Sequence, residues 1–276
     1  MDDMICDQLK YNVVLVTKIE LALRNVGGLM SYDSVVSLGG NCSVAHNLRL
    51  RGLRRESLPF DWLLMNDERP IEYLARGFEN DFSDFCLKAN LRELKGDERG
   101  QEQPERLQLQ DENSGYNFLH HFNKSTNFDK EYERVIAILK RRIKRLTGMF
   151  SLGGKYLLVL APTFRVKEEC LNKLIERLAL KYPKAVFVFL VMSFGEENYN
   201  VKCDGSLVYV KIPRMQNLYD YTGKNFEWSF MDHIAFRDGR NATPEKQHKI
   251  RLFKWHGFRY VLKWCIEKKA LKGTVE

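Results

Sequence analysis

The sequence predicts an α/β fold in which a mostly parallel sheet is covered by helices on both faces. Near-continuous apolar strands recur in the second half of the chain, and amphipathic helical patterns alternate with them. The strands cover residues 156–161, 185–193 and 207–212, and the helices cover about 129–146 and 167–181. Strands that are apolar along their whole length are typical of parallel sheets buried on both faces. The 276 residues suit one large α/β domain better than two small ones.

The first 30 residues are expected to be an N-terminal extension of this domain, which then covers residues 31–276. Their pattern favours a strand at 12–16 and a short helix at 18–25, and a pair of glycines ends it. A last amphipathic helix, at about 244–269, is expected to close the domain.

Composition limits the cellular setting and the partners. The chain starts with acidic residues where a signal peptide is basic, and no apolar run approaches the ~20 residues that a membrane-spanning helix needs. The six cysteines are scattered singly, without the close spacing of a zinc or redox site. We therefore expect a cytoplasmic protein with no membrane span, no metal and no cofactor. The formal net charge of +8 favours acidic partners without selecting among them.

A strand–turn–helix unit near the start of the domain carries Cys42, the residue that we most expect to do chemistry. The strand at 35–38 is followed by Gly39 and Gly40, which favour a tight turn because glycine enters positive φ freely. The next helix begins near Cys42, and the positive end of a helix should lower the pKa of a thiol. The backbone of Gly39, Gly40 and Asn41 is a candidate binding surface for substrate and for an oxyanion. A small buried thiol that fills space under the turn is the simpler alternative.

Residues 54–128 are predicted to be an irregular, aromatic-rich insertion. Within it, segment 95–114 is strongly charged and is expected to be an exposed loop. The motif PFDW at 59–62 contains Asp61, which either bonds backbone N–H groups of its own turn or orients a histidine. Trp62 and Trp228 are candidate surfaces for stacking against a substrate.

A thiol nucleophile needs a base, and histidine is the usual one because its pKa lies near neutrality. His120 lies in an aromatic stretch where an imidazole could face a cleft, and His233 follows Asp232 in a second candidate pair. His46 lies one turn after Cys42. Each of these histidines is also compatible with a purely structural role.

Two of these motifs together resemble a bacterial family described as papain-like cysteine peptidases. The family pattern is S-L-G-x-x-C, a short helix and then P-F-D-W, which matches residues 37–42 and 59–62. The family also has a histidine near mid-chain, commonly in H-D-F, which matches 120–122. The resemblance covers about residues 34–215.

This resemblance implies a thiol hydrolase that works through an acyl-enzyme, with Cys42 as nucleophile and His120 as base. His121 stands where the family has an acid, so the group that orients the imidazole would come from elsewhere. Asp61 and Asp232 are the candidates.

A second resemblance leads to a different reaction. The turn at 40–42 is similar to the G-N-C-Q start of bacterial capsular-polysaccharide acyltransferases. The predicted sheet of repeated strand–helix units also fits that family better than it fits a papain fold. It implies a cysteine-dependent acyltransferase in surface polysaccharide biosynthesis. The cysteine chemistry is shared, and the sequence leaves hydrolysis and transfer open.

A basic stretch at 140–146 supplies a third hypothesis. Arg141 and Arg145 share a helix face and are candidates to bind an anionic ligand, such as a phosphate, a coenzyme A-type donor or an acidic glycan. Charge runs on helices also commonly face water. No standard nucleic-acid-binding module is present, so specific nucleic-acid binding is not expected. A non-catalytic glycan- or anion-binding protein is therefore the alternative to an enzyme.

Overall fold

A computed structural model describes residues 2–96, 104–162, 164–196, 200–213 and 226–239 of the chain. Within them the protein is a mixed α/β structure. The helices are α1 (Asp2–Gly27), α2 (Cys42–Leu50), α3 (Arg69–Glu79), α4 (Phe128–Ser151) and α5 (Glu168–Lys181). The strands are β1 (Ser31–Tyr32), β2 (Ser34–Ser37), β3 (Leu63–Leu64), β4 (Leu91–Glu93), β5 (Arg106–Asp111), β6 (Asn117–Asn123), β7 (Gly154–Leu160), β8 (Ala185–Glu196), β9 (Asn200–Asp204), β10 (Leu207–Pro213) and β11 (Ala235–Phe236). Two 3-10 segments are Lys88–Asn90 and Phe226–His233.

The central sheet has five strands in the order β2-β7-β8-β10-β9. Its first four strands are parallel, and β9 pairs antiparallel with β10. A second sheet, in the order β3-β6-β5-β4, is antiparallel throughout. The prediction that the β-structure is mostly parallel is therefore wrong for the molecule as a whole. It was based only on the apolar strands, and these belong to the central sheet.

The second sheet lies inside the segment predicted to be irregular, so that prediction is also wrong. Helix α3 and strands β3 to β6 all fall within residues 54–128. The charged segment expected to be an exposed loop contains β5, where Leu109 is in the core and the neighbouring Gln108 and Gln110 are buried. Leu107 and Leu109 alternate with Gln108 and Gln110 as a strand requires, but the prediction was based on the high charge of the whole segment and overlooked this pattern.

Each face of the central sheet packs against its own set of helices. On one face, Leu157 and Val159 of β7 join the buried sides of α1 and α2. On the other face, Tyr156 and Leu158 join α3, α4, α5 and the aromatic side of the antiparallel sheet. This alternation is what a strand buried on both faces requires.

The N-terminal segment is one long helix rather than the predicted strand and short helix. Leu15, Ile19 and Leu23 recur at helical spacing and are fully buried against the central sheet. That residues 1–30 form an extension outside a domain of 31–276 stays a prediction. The helix expected at 244–269 lies outside the described residues. None of the helices that the structure describes is long and apolar enough to cross a membrane.

Candidate active site

Two glycines bring the end of β2 close to the end of β7. Gly39 and Gly40 have φ of +92° and +109°, a region that residues with a side chain rarely adopt. A Cβ on Gly40 would lie 2.4 Å from the carbonyl carbon and oxygen of Ala161. The N–H of Gly39 donates to Ser37 Oγ at 3.2 Å. The structure therefore gives these glycines a packing role, and that their backbone binds substrate or an oxyanion stays a prediction.

Asn41 fixes this turn in place as the N-cap of α2. Its side-chain oxygen accepts a hydrogen bond from the Ser43 N–H at 2.8 Å, and its Nδ2 donates to the Ala161 carbonyl at 2.7 Å. Cys42 is therefore the first helical residue, next to N–H groups that have no acceptor within the helix. Its side chain is only 5% exposed.

A histidine from the antiparallel sheet meets this cysteine. Cys42 Sγ and His120 Nε2 are 3.3 Å apart. His120 lies in β6 at a bulge, because Leu109 pairs with Phe118 and Leu107 pairs with Phe122. Three residues of β6, 119–121, thus stand opposite the single residue 108 of β5. Bulges of this kind redirect side chains and are common beside active sites.

The short strand β3 joins the two sheets at this point. Gly40 forms a parallel bridge with Leu64, and its carbonyl accepts a hydrogen bond from Met65 N at 3.0 Å. Leu64 in turn pairs with Asn117 at the start of β6. Leu64 of β3 therefore pairs with the cysteine turn on one side and with β6, the strand that carries His120, on the other.

The surroundings keep both imidazoles at the bulge neutral. Burial, with a smaller contribution from the positive charge of Arg106, lowers the pKa of His120. The pKa of His121 is lowered to about 3, mainly by burial and then by the charges of Arg142, His120, Arg134 and Arg106 in that order. His120 is therefore ready to accept a proton at neutral pH, whereas His121 stays uncharged and its Nδ1 is buried without a hydrogen-bond partner.

Trp62 lines the same site. Its backbone has φ of +66°, which is unusual for a bulky residue, and its ring stands edge-on to His120 with centroids 6.4 Å apart. The Arg49 guanidinium lies 5.8 Å from the Trp62 ring centroid. The other tryptophan proposed for stacking, Trp228, is 1% exposed in the core on the α1 side and is not available for that role.

The acidic residues proposed to orient the histidine bind other groups. Asp61 accepts hydrogen bonds from Arg54 Nε at 2.8 Å and from the N–H of Leu58 at 2.9 Å. Burial raises the pKa of Asp61 even though Arg54 lowers it. These contacts match the turn-forming alternative for Asp61.

The second candidate pair lies on a different element. Asp232 forms a buried ion pair with Arg51 at 3.0 Å, which ties the end of α2 to the second 3-10 segment. The neighbouring His233 lies 3.5 Å from Glu20 of α1. The described contacts thus bring together Cys42, His120 and Trp62, and they give Asp232 and His233 partners elsewhere.

In the basic helix α4, the arginine whose charge acts on residues around the site is neither Arg141 nor Arg145, the two predicted from the sequence. Arg141 is exposed, and Arg145 donates to the Ser57 carbonyl at 2.9 Å and pairs with Glu56. Arg142 is the residue whose charge acts on both Asp61 and His121. The roles of Arg106 and Arg142 were missed because both depend on strand register and helix packing, for which the sequence holds no local signal. An anion site on this helix stays a prediction.

This arrangement can form and break a bond to sulfur. A neutral imidazole within 3.3 Å of a thiol can take its proton, and the resulting thiolate is a strong nucleophile. Among the described residues, no group of three or more His, Cys, Asp or Glu side chains could hold a metal ion.

Comparison with known proteins adds a family. A family model described as "Putative papain-like cysteine peptidase" matches residues 33–187. The Uncharacterized protein R408 of Acanthamoeba polyphaga mimivirus is 28% identical over 141 residues, which are 47% of this chain and 62% of that protein. The chain thus spans less than two thirds of the length of that relative, which is viral, whereas the motifs resembled a bacterial family. No solved structure matches the chain.

Proposed function

Because this chain belongs to the family described as "Putative papain-like cysteine peptidase", we propose that it is a thiol hydrolase in which Cys42 is the nucleophile and His120 is the general base. The observation that carries this proposal is the 3.3 Å contact between Cys42 Sγ and His120 Nε2. That distance is suited to direct proton transfer, and the two residues come from helix α2 and from strand β6 of the second sheet.

The reaction proceeds in two steps. His120 Nε2 takes the thiol proton while Sγ attacks the substrate carbonyl carbon, and the protonated imidazole then gives that proton to the leaving group as its bond to carbon breaks. The product of this step is a thioester on Cys42. In the second step His120 takes a proton from water while the water oxygen attacks the thioester carbon; the carbon–sulfur bond then breaks, the acid product leaves, and the imidazolium returns the proton to Sγ to restore the thiol. The amino end of α2 stabilises the negative charge on sulfur.

Acyl transfer to another acceptor is a second candidate function. The observation that favours it is the parallel β2–α2 unit, which carries Cys42 at the carboxyl edge of an α/β sheet, where such sheets bind ligands. The first step is the same, and a hydroxyl or amine replaces water in the second. We further propose that the protein acts in the cytoplasm, where free thiols persist.

Competitive alkylation with iodoacetamide near neutral pH tests the nucleophile. Cys203 is exposed and Cys86 is fully buried, and burial raises the pKa of both thiols. Peptide mass spectrometry should find Cys42 modified faster than both, although it is 5% exposed. Labelling in order of exposure, with Cys203 first, would instead favour the non-catalytic glycan- or anion-binding protein.

Variants at the two adjacent histidines test the base. With p-nitrophenyl acetate, intact mass should show an acetyl group on Cys42, with release of p-nitrophenol. His120→Gln should slow this acylation by about 10²–10⁴-fold, the usual contribution of a general base. His121→Gln is the matched control and should acylate at close to the normal rate. Equal losses in both variants would argue against a specific role for His120.

Adding amines or sugars to the same reaction separates acyl transfer from hydrolysis, since only transfer gives an acetylated acceptor.

A further inference from the structure

The strand that carries His120, β6, is paired along only part of one edge. Its other edge pairs with β5, where the backbone N–H of Lys124 donates to the Glu105 carbonyl at 2.9 Å. The N–H groups of successive residues point to opposite edges of a strand, so the N–H of Asn123 faces away from β5. On that side β3 pairs with residues 117 and 118, and no other strand that the structure describes continues along β6.

Helix α4 supplies partners to this open edge from its first two turns. The N–H of Asn123 donates to Glu131 Oε1 at 2.7 Å, and Arg134 Nη2 donates to the His121 carbonyl at 2.7 Å. The two side chains also bind each other, since Arg134 donates from Nε to Glu131 Oε2 at 2.9 Å and from Nη2 to Oε1 at 2.7 Å. One ion pair, Glu131 with Arg134, thus joins both backbone groups, and we call it the α4 clamp.

The α4 clamp differs from an ordinary ion pair on the surface of a helix. Pairs three residues apart usually add little to stability, because both side chains stay in water. Glu131 is instead 3% exposed, while the Arg134 side chain is 45% exposed. A buried carboxylate destabilises a fold unless its oxygens accept hydrogen bonds, and both oxygens of Glu131 do so. The hydrogen bonds from Arg134 also lower the pKa of Glu131, so the carboxylate is ionised at neutral pH.

The clamp holds β6 directly after the bulge that presents His120. Before the bulge, Asn117 and Phe118 pair with both β3 and β5. After it, the clamp binds the carbonyl of His121 and the N–H of Asn123. A bulge disrupts the regular hydrogen bonds between strands, so the contacts on either side of it determine where its side chains lie. The backbone of His120 is therefore fixed between β3 on one side and α4 on the other.

We propose that the α4 clamp positions the general base, by holding β6 where His120 Nε2 lies 3.3 Å from Cys42 Sγ. Glu131 and Arg134 are then positioning residues that act through the backbone, and their effect on the rate rests on the proposed function. Of the charges in the described residues, that of Arg106 alone acts on His120, so the clamp works by geometry and not by charge. A displacement of 1 Å can cost about 100-fold in rate, and we expect about tenfold for a weakened clamp.

Glu131→Gln tests the clamp, and Glu133→Gln is its matched control. Glu133 lies two residues further along α4 and is exposed. With p-nitrophenyl acetate, Glu131→Gln should slow the acylation of Cys42 about tenfold, whereas the control should acylate at the normal rate. The acid limb of kcat/KM should stay at the same pH in Glu131→Gln, because the variant moves the base without changing the charge that acts on it. An unchanged plateau rate, or a limb that moves, would overturn the proposal.

The same substitution in a His120→Gln protein separates positioning from a general loss of structure. This protein has no base to position, so Glu131→Gln should have no further effect on its residual rate. Equal fold losses in the two backgrounds would overturn the proposal, since they would mean that the clamp only stabilises the fold. If Glu131→Gln does not fold, Arg134→Ala should give the same pattern, because this side chain is more exposed and its removal disturbs the packing of α4 less.

NMR of the His120 ring tests the positioning independently of the reaction. The imidazole signals should shift in Glu131→Gln and stay in place in Glu133→Gln. If they shift while His120→Gln acylates at the normal rate, the clamp is supported and the proposed function is contradicted. Unchanged signals in Glu131→Gln would overturn the clamp itself.

Discussion

The two sheets deliver the two halves of the candidate active site in different ways. Cys42 is positioned mainly by residues near it in the sequence, since the turn, its glycines and the N-cap lie within a few residues. This turn then packs against Ala161 and pairs with Leu64 and Met65. His120 is positioned by pairing between strands, because the bulge in β6 exists only relative to β5. The nucleophile thus depends on a local turn and a few backbone contacts, and the base depends on the register of a whole sheet.

Because of this difference, substitutions in the two regions should have different effects, on stability in one region and on protonation in the other. A change in the cysteine turn should act mainly on stability, because the turn is held by backbone packing with no room to move. A change around the bulge should act mainly on protonation, because two half-buried imidazoles lie there and the charges of several arginines act on them.

Gly40→Ala tests the local half and should have the largest effect. The new Cβ would meet the Ala161 backbone at 2.4 Å, and φ of +109° is itself strained for alanine. We expect a loss of at least about 3 kcal/mol in the free energy of unfolding, measured by urea denaturation. Gly148→Ala in α4 is the control, since nothing lies within 4 Å of its Cβ, and alanine there should stabilise by up to about 1 kcal/mol. A Gly40→Ala protein as stable as wild type would show that the turn is not tightly packed.

His121→Gln tests the bulge through the pH dependence of stability. The pKa of His121 is about 3 in the fold and near 6.5 in the unfolded chain, so between these values the unfolded state binds more protons. The contribution of neutral His121 to the free energy of unfolding should therefore be fully present above pH 6.5 and should decrease as the pH falls towards 3. By pH 5 the loss due to this residue is at most about 2 kcal/mol.

Urea denaturation of both proteins at pH 7.5 and pH 5 measures this contribution. The glutamine variant cannot be protonated, so its stability should fall less than that of the wild type over the same interval. Parallel curves for the two proteins would mean that His121 is protonated in the fold, which its buried position opposes.

The sequence allowed prediction of the local half of the site. The strand, the two glycines and the helix start around Cys42 are signals that lie within about ten residues, and the structure has Cys42 at the first position of α2. The predicted strands of the central sheet are present because an apolar strand buried on both faces is recognisable without its partners.

The non-local half could not be predicted in the same way. The strands of the second sheet are short and carry buried polar residues such as Gln108 and Gln110, whose burial depends on the pairing of these strands with one another. The bulge that contains His120 and His121 is a property of two strands together. Both alternatives for Asp61 were open in the sequence, and its hydrogen bonds to Arg54 and Leu58 match the structural one.

Arg106→Gln should have the smallest effect and tests how the second sheet tunes the base. Arg106 in β5 lowers the pKa of His120 by disfavouring the imidazolium, so the acid limb of kcat/KM for the activated ester should lie below pH 6.5 in the wild type. Removing this charge raises the pKa of His120, and the limb should move to higher pH while the rate on the plateau changes little. Arg92→Gln, on the adjacent strand β4, removes a charge that does not act on His120 and should leave the limb in place. A limb that stays fixed in the Arg106 variant would mean that burial alone sets this pKa, so that the second sheet would then act on the base by excluding water rather than by its charge.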